Sequence, residues 1–594
     1  MRLTPEQGKA NYTPPGPISK GRRTSKCHEG NEIPKGSFPT DIPPKGMCGS
    51  VRIGHSLNKK EKEFVARRRN DVLQSLKKLK ITCSENKVPN IALLGSGGGA
   101  RAMVGLLGSL DQLQKTGLLD CVLYLSGVSG STWCMASLYQ EPDWSTKLET
   151  VKDKIIHRLS GPAVSWGDAF AKLKKYYKEK DIFSLTDVWA VMFVTATVKE
   201  IDEHTLSDQW DQKSKDPFPI YTAIDKQCKQ SKDADPWFEF TPYEAGYSLT
   251  GAFVETSNFG SKFENGRKIK NQPEIDMLYL QALCGSTLAN EDEEKKLLFE
   301  KIKEFLKHLP LSEKEMVEEL GKENTNSPPI DKCHQVLMDL VDMNLSVLNG
   351  KDPSAHDKSI RTKLNELTGG KHQLSFQKKK LNLTDKEAAK QYMKQYTVDL
   401  FNGLSHFWPF DLWASIFGCM KQWIWGRKYD FLHNMKDKAV PSTLLKSETR
   451  DYIDAGLFIN SSYFSVLREE RDIDLIISLD FSETEPFKTV TKAAETSKKL
   501  KIPFPEVNIP NGHSEKPKDF YVFKGQNTPT VIHIPLFNVV NCGDDIEEWR
   551  KKYKTYQGSY SAEMITDLME VAGKNITNNK DNLLEEIRLA IKMH

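Results

Sequence analysis

The sequence predicts an α/β protein built on a central, mostly parallel sheet with flanking helices. Short β-type runs alternate with helix-type runs from about residue 88 onward, the pattern of strands joined by helical crossovers. Two of these runs, Ile91-Ala92-Leu93-Leu94 and Val122-Leu123-Tyr124-Leu125, each lead into a glycine-framed turn that opens a helix-type run. Strand-type runs then return late, at Leu475-Ile476-Ile477-Ser478-Leu479 and Thr530-Val531-Ile532-His533-Ile534.

Residues 1–50 are rich in Pro and Gly with basic residues at Lys20, Arg22, Arg23 and Lys26, and read as a disordered arm. Val65, Val72, Leu76 and Leu79 recur at helical spacing within 58–80. The nine Lys and Arg residues of that stretch read as a solvated face, with an anionic lipid surface as the alternative. Residues 286–400 change character: rich in Lys, Glu and Asn, and broken by Ser327-Pro328-Pro329 and Gly369-Gly370, they predict a helical cap insertion. The carboxy-terminal tail is helical and charged.

Bulk properties narrow the function classes. The 594 residues can bury a large core, and a formal net charge of only +4 gives no reason to expect a nucleic-acid partner. Ten scattered cysteines form no C-x-x-C pair and no metal-ligand spacing, so neither metal nor cofactor is expected. No apolar signal core follows Met1-Arg2-Leu3-Thr4-Pro5, and no apolar run is long enough to span a bilayer. The expectation is a cytoplasmic protein with reduced thiols.

The two glycine turns carry the chemistry. Gly127-Val128-Ser129-Gly130-Ser131 puts a serine on a tight strand-to-helix turn, where its hydroxyl is presented for attack on a carbonyl. Gly95-Ser96-Gly97-Gly98-Gly99-Ala100-Arg101 offers bare backbone N–H groups at a positive helix end, suited to a developing oxyanion. The same run also fits a dinucleotide fingerprint. That reading needs an acidic residue ending the next strand, and Ser126-Gly127 stands there instead.

A serine nucleophile needs a base. His513 and His533 come late enough for a conventional triad, though His533 lies mid-strand. Asp454, in Tyr452-Ile453-Asp454-Ala455-Gly456-Leu457, ends a β-type run and is the carboxylate candidate. Its local sequence equally fits a loop aspartate closing an Asx-turn.

In this order, Gly97-Gly98-Gly99-Ala100-Arg101, Gly127-Val128-Ser129-Gly130-Ser131 and Asp454-Ala455-Gly456 resemble patatin-like and cytosolic phospholipase A2 catalytic domains. Trp237-Phe238-Glu239-Phe240-Thr241-Pro242, Gly260-Ser261-Lys262-Phe263, Asp480-Phe481-Ser482 and Ile534-Pro535-Leu536-Phe537-Asn538 extend the resemblance from about residue 50 to near the carboxy terminus. Within the family it is nearest the gamma group, which lacks a calcium-binding C2 domain.

The resemblance implies a phospholipase catalytic domain over 51–594, with 286–400 as its cap. It implies calcium-independent hydrolysis of acyl esters in phospholipids and lysophospholipids through an acyl-enzyme, with water or a second lipid as acceptor. Ser129 would be the nucleophile, Asp454 its base, Gly97, Gly98 and Gly99 the oxyanion hole, and Arg101 the guide for the lipid phosphate. Arg471 aligns more loosely with a second arginine near the site. The rival reading is a general α/β-hydrolase using a Ser-His-Asp triad on soluble esters.

The chain ends Ile591-Lys592-Met593-His594, with no cysteine where the group's prenylation box would need one. Peripheral contact with a phospholipid membrane is therefore expected through the folded surface. The aromatic stretch 407–425, with Phe407, Trp408, Phe410, Trp413, Phe417, Trp423 and Trp425, is one candidate, and burial in the core is its competing fate.

Overall fold

The computed structural model describes residues 51–287, 294–308, 330–371, 373–374, 381–404 and 411–592. The arm expected over 1–50 lies outside these residues, as do Phe407, Trp408 and Phe410.

The strands, in chain order, are β1 (Arg52–Ile53), β2 (Ile91–Gly95), β3 (Tyr124–Gly127), β4 (Phe218–Asp225), β5 (Trp237–Phe240), β6 (Glu244–Tyr247), β7 (Ala252–Glu255), β8 (Lys262–Glu264) and β9 (Arg267–Lys270). They continue with β10 (Arg427–Tyr429), β11 (Thr449–Asp454), β12 (Leu475–Asp480), β13 (Tyr521–Phe523) and β14 (Thr530–Pro535). One large sheet runs β1-β7-β6-β5-β4-β3-β2-β12-β14-β13, with β11 joined to β4 and β10 to β11; β8 and β9 form a separate hairpin.

The parallel part expected from the sequence is the middle of this sheet, β4-β3-β2-β12-β14. These strands are buried along their whole length, which is why they read as continuous apolar runs. Both flanks are antiparallel. Three helices matter for the site: α1 (Lys59–Lys78), α2 (Gly99–Lys115) and α3 (Gly130–Tyr139), the last two opening directly from the glycine turns.

On α1 the basic residues divide. Arg68 is buried and donates from Nε to the Val122 carbonyl at 2.8 Å, and Arg69 donates to Asn90 at 3.1 Å. These arginines tie the helix to the sheet, while the lysines remain in solvent. The aromatic stretch after residue 410 goes to the core: Trp413, Phe417, Trp423 and Trp425 are all buried. Between residues 294 and 404 the described residues are chiefly helices that pack on one another, with Phe305 meeting Trp166 at 5.7 Å and Trp413 at 6.3 Å.

One register feature positions the site. On one edge of β4, β3 pairs in parallel with its first half, ending at Gly127 opposite Tyr221. The other edge carries β5, which takes Ala223 and Ile224 as partners. β11 also pairs with Ala223 and Ile224, so it must lie on the β3 edge, running antiparallel and ending with Asp454 opposite Ala223. The carboxyl ends of β3 and β11 therefore face each other along β4, with Thr222 alone between their last partners. Two residues of strand span about 7 Å.

Candidate active site

Ser129 takes φ 52° and ψ −121°, a conformation suited to glycine, and is only 3% exposed. Its turn is held from every side. The Thr222 hydroxyl donates to the Gly127 carbonyl at 2.7 Å, the Ser131 hydroxyl to the Ser96 carbonyl at 2.6 Å, and the Val128 N–H to the Gly95 carbonyl at 3.0 Å. A side chain at Gly130 would put its Cβ 2.0 Å from the Gly99 carbonyl oxygen, so the two turns touch backbone to backbone. A Cβ at Gly97 would lie 3.0 Å from that of Ser129. The two motifs, separate in sequence, form one site.

Asp454 is fully buried at the end of β11. Its Oδ1 accepts the Gly456 N–H at 2.7 Å, so the Asx-turn suggested by the local sequence is present. Oδ2 has no partner of strict hydrogen-bond geometry. Burial pushes the carboxyl up to about 7, and the Ser129 hydroxyl and Gly456 N–H pull against that rise. The serine hydroxyl stands close enough to act on the carboxyl, without a hydrogen bond of strict geometry to Oδ2. A carboxylate with a pKa near 7 can accept a proton at neutral pH and return it.

The three glycines expected to hold an oxyanion are not equivalent. Gly97 donates its N–H to the Asn460 carbonyl at 3.1 Å, and its own carbonyl accepts from Asn460 Nδ2 at 3.1 Å. Gly97 is thereby committed to Asn460, a residue the sequence did not single out. The N–H groups of Gly98 and Gly99, at the start of α2, have no acceptor among the described residues. Gly130, first residue of α3, also has no acceptor for its N–H among the described residues. The residue after a serine nucleophile commonly supplies such a donor, so Gly130 was legible in the motif but passed over.

The arginines are placed less openly than expected. Arg101 is 1% exposed; Nε donates to the Phe481 carbonyl and Nη1 to the Tyr553 carbonyl, both at 2.7 Å. Its Nη2 faces the glycine turn, 2.9 Å from where a Cβ on Gly98 would stand. Arg471 is a correction. Its guanidinium is buried between Glu61 and Glu239, with contacts of 2.9 Å and 2.6 Å, and Nη1 also donates to the Ser465 carbonyl at 2.6 Å. It lies over the Tyr124 ring, at the opposite end of β3 from the serine turn. Two buried carboxylates already satisfy it, so it clamps the fold and is not available to a substrate phosphate.

Neither histidine approaches the serine. His533 sits mid-β14, three strand spacings from β3 with β2 and β12 between, about 14 Å. Its Nε2–H donates to the Pro486 carbonyl at 2.6 Å, and burial lowers its pKa. His513 pairs with the Tyr521 hydroxyl at 2.8 Å, on the edge strand β13.

Known proteins resemble this chain. Residues 91–326 match the lysophospholipase catalytic domain family. The chain is 34% identical over 572 residues to cytosolic phospholipase A2 gamma of Mus musculus, covering 91% of this chain and 92% of that one. Identity to cytosolic phospholipase A2 gamma of Homo sapiens is 33% over 549 residues, covering 90% and 96%. Among solved structures, human GIVD cytosolic phospholipase A2 aligns with a TM-score of 0.61 at 23% identity, over 92% of this chain and 67% of that one. At that identity the likeness concerns the fold alone.

Proposed function

The chain belongs to the cytosolic phospholipase A2 family, and from that premise we propose that it hydrolyses fatty acyl esters of glycerophospholipids and lysophospholipids through a Ser129–Asp454 dyad. The observation that carries the dyad is the meeting of β3 and β11 along β4, which brings a strained serine to a buried carboxylate poised at about 7.

The steps follow from the groups present. Asp454 accepts the Ser129 proton as Oγ attacks the ester carbonyl. The oxyanion that forms is met by the free N–H groups of Gly98, Gly99 and Gly130. Collapse breaks the ester bond, and Asp454 returns its proton to the departing alcohol of the lysophospholipid or glycerol headgroup. Water, or a second lipid hydroxyl, then attacks the acyl-enzyme with Asp454 again as base. Arg101 would meet the substrate phosphate through Nη2, the arm nearest the glycine turn. The helices between 294 and 404 would form the cap.

Purified protein given mixed-acyl phosphatidylcholine micelles is expected to release free fatty acid and to take up one fluorophosphonate per chain on Ser129. Labelling elsewhere, or none, would overturn the reading.

We also propose peripheral membrane binding in the cytoplasm, through the face around the dyad. Lys226 and Lys229 follow β4, and Lys492 donates to the carbonyl of Phe458, four residues past Asp454. These lysines form no ion pair among the described residues, and partial burial, with repulsion between neighbouring lysines second, lowers the pKa of Lys229 and Lys492. Leu457 and Phe458 are partly exposed beside them. A Lys226→Glu, Lys229→Glu double variant is expected to bind phosphatidylserine vesicles at least tenfold more weakly. Unchanged co-sedimentation would place the membrane face elsewhere.

A further inference from the structure

A cavity of about 260 Å³ lies among the helices Glu294–Lys307, Ile330–Leu348, Lys386–Leu404 and Asp411–Gln422. It shares no lining residue with the Ser129–Asp454 site. Its apolar wall is Phe299, Met393, Phe417, Met420 and Trp423. Lys295, Lys390 and Lys394 line it as well, with Glu387 as the one acid. Lys390 pairs with Glu387 at 3.2 Å, and Lys295 stands over the Trp423 ring at 4.9 Å. The lining thus joins an apolar trough to three lysines and one glutamate.

Trp423 marks the polar end. It follows directly on the helix Asp411–Gln422 and takes φ 54°, the left-handed position that helix ends normally give to glycine. The Ile424 N–H closes the cap to the Cys419 carbonyl at 3.0 Å. A bulky residue is strained there, so the backbone pays to hold the indole in the wall of the cavity. The indole is 4% exposed, yet its Nε1–H has no acceptor among the described residues. A buried donor left unmade is costly unless a ligand oxygen completes it.

We propose that this cavity binds a single-chain amphiphile with an anionic head: a long-chain carboxylate. Its oxygens accept from the Trp423 Nε1–H within reach of the lysines, and its chain lies along the methionines and phenylalanines. The choice of carboxylate rests on the reaction proposed above, whose product it is. The placement of the site does not.

Irradiating the full-length protein with a diazirine-bearing palmitate tests it. Adducts are expected in peptides containing Met393, Met420 or Trp423, competed by oleate and not by oleyl alcohol. Lys394→Glu, at an exposed position, should cut the labelling at least tenfold. Trp423→Phe, which keeps a ring and loses the donor, should cut it several-fold. Adducts confined to the neighbourhood of Ser129, no saturable labelling, or labelling indifferent to Lys394→Glu would overturn the site. Competition by lysophosphatidate without competition by oleate would overturn the carboxylate. A Ser129→Ala protein separates the two readings: turnover reports on the dyad, and adducts at Met393, Met420 or Trp423 report on this cavity.

Discussion

Ser129→Ala is expected to lower fatty acid release at least about a thousandfold, because the other hydroxyls of the two turns are engaged, Ser131 donating to the Ser96 carbonyl and Ser96 accepting the Phe481 N–H. Substrate affinity should change little, so the loss falls on kcat. Stability reports separately on the turn. Alanine inherits the strained φ 52° and ψ −121°, whereas glycine is at ease there. Ser129→Gly, equally inactive, is therefore expected to withstand more denaturant than Ser129→Ala, by about 1 kcal/mol. Turnover above a tenth of wild type in either variant would place the nucleophile elsewhere.

Asp454→Asn is expected to cost at least about a hundredfold in kcat, since the amide cannot take the serine proton. In the unmodified protein the acid limb of kcat/KM should fall with a midpoint near 7, because only the ionised carboxylate is a base. Stability should run the other way. Burial raises the folded pKa from 3.8 to about 7, so between those values the folded chain holds a proton that the unfolded chain has lost. The unfolding free energy therefore declines as pH rises across that window. Above it, the protein carries a buried carboxylate that Asn lacks. Denaturant melts at pH 8 should find Asp454→Asn more stable than wild type by about 1 kcal/mol or more, with the gain shrinking toward pH 4. An acid limb near pH 4, or an Asn variant destabilised at pH 8, would remove Asp454 from the base position. Loss of activity in His513→Ala or His533→Ala, with Asp454→Asn active, would restore a triad.

Legibility in the sequence followed the range of the interactions. The strands β2, β12 and β14 were readable because buried parallel strands are continuous apolar runs bounded by turns. The serine turn was readable because its glycines sit beside the residue they serve. The antiparallel flank, β4 to β7, left a weaker trace, since its strands mix aromatic with charged residues that find partners only across the sheet. Glu239 is the example: a charge within an apolar strand, explained by the buried Arg471 and Arg468 that meet it. Arg471 misled for the same reason, its partners being 410 and 232 residues away in sequence. The aromatic stretch around Trp413 and Trp425 could have suited a lipid interface or a core, and its packing neighbours made it core.

By itself, the sequence determined the α/β class, the two glycine turns, the serine within the second and an aspartate at the end of a late strand. These are local matters of φ, side-chain size and strand periodicity, settled within a few residues. Only the tertiary structure decided which N–H groups stay free, which arginine is sealed between carboxylates, and that Asp454 reaches Ser129 from 325 residues further along the chain. The physical reason is the register of a single strand. β4 is long enough to pair with β3 on its first half and β11 on its second, and hydrogen bonding along that shared edge brings their ends together.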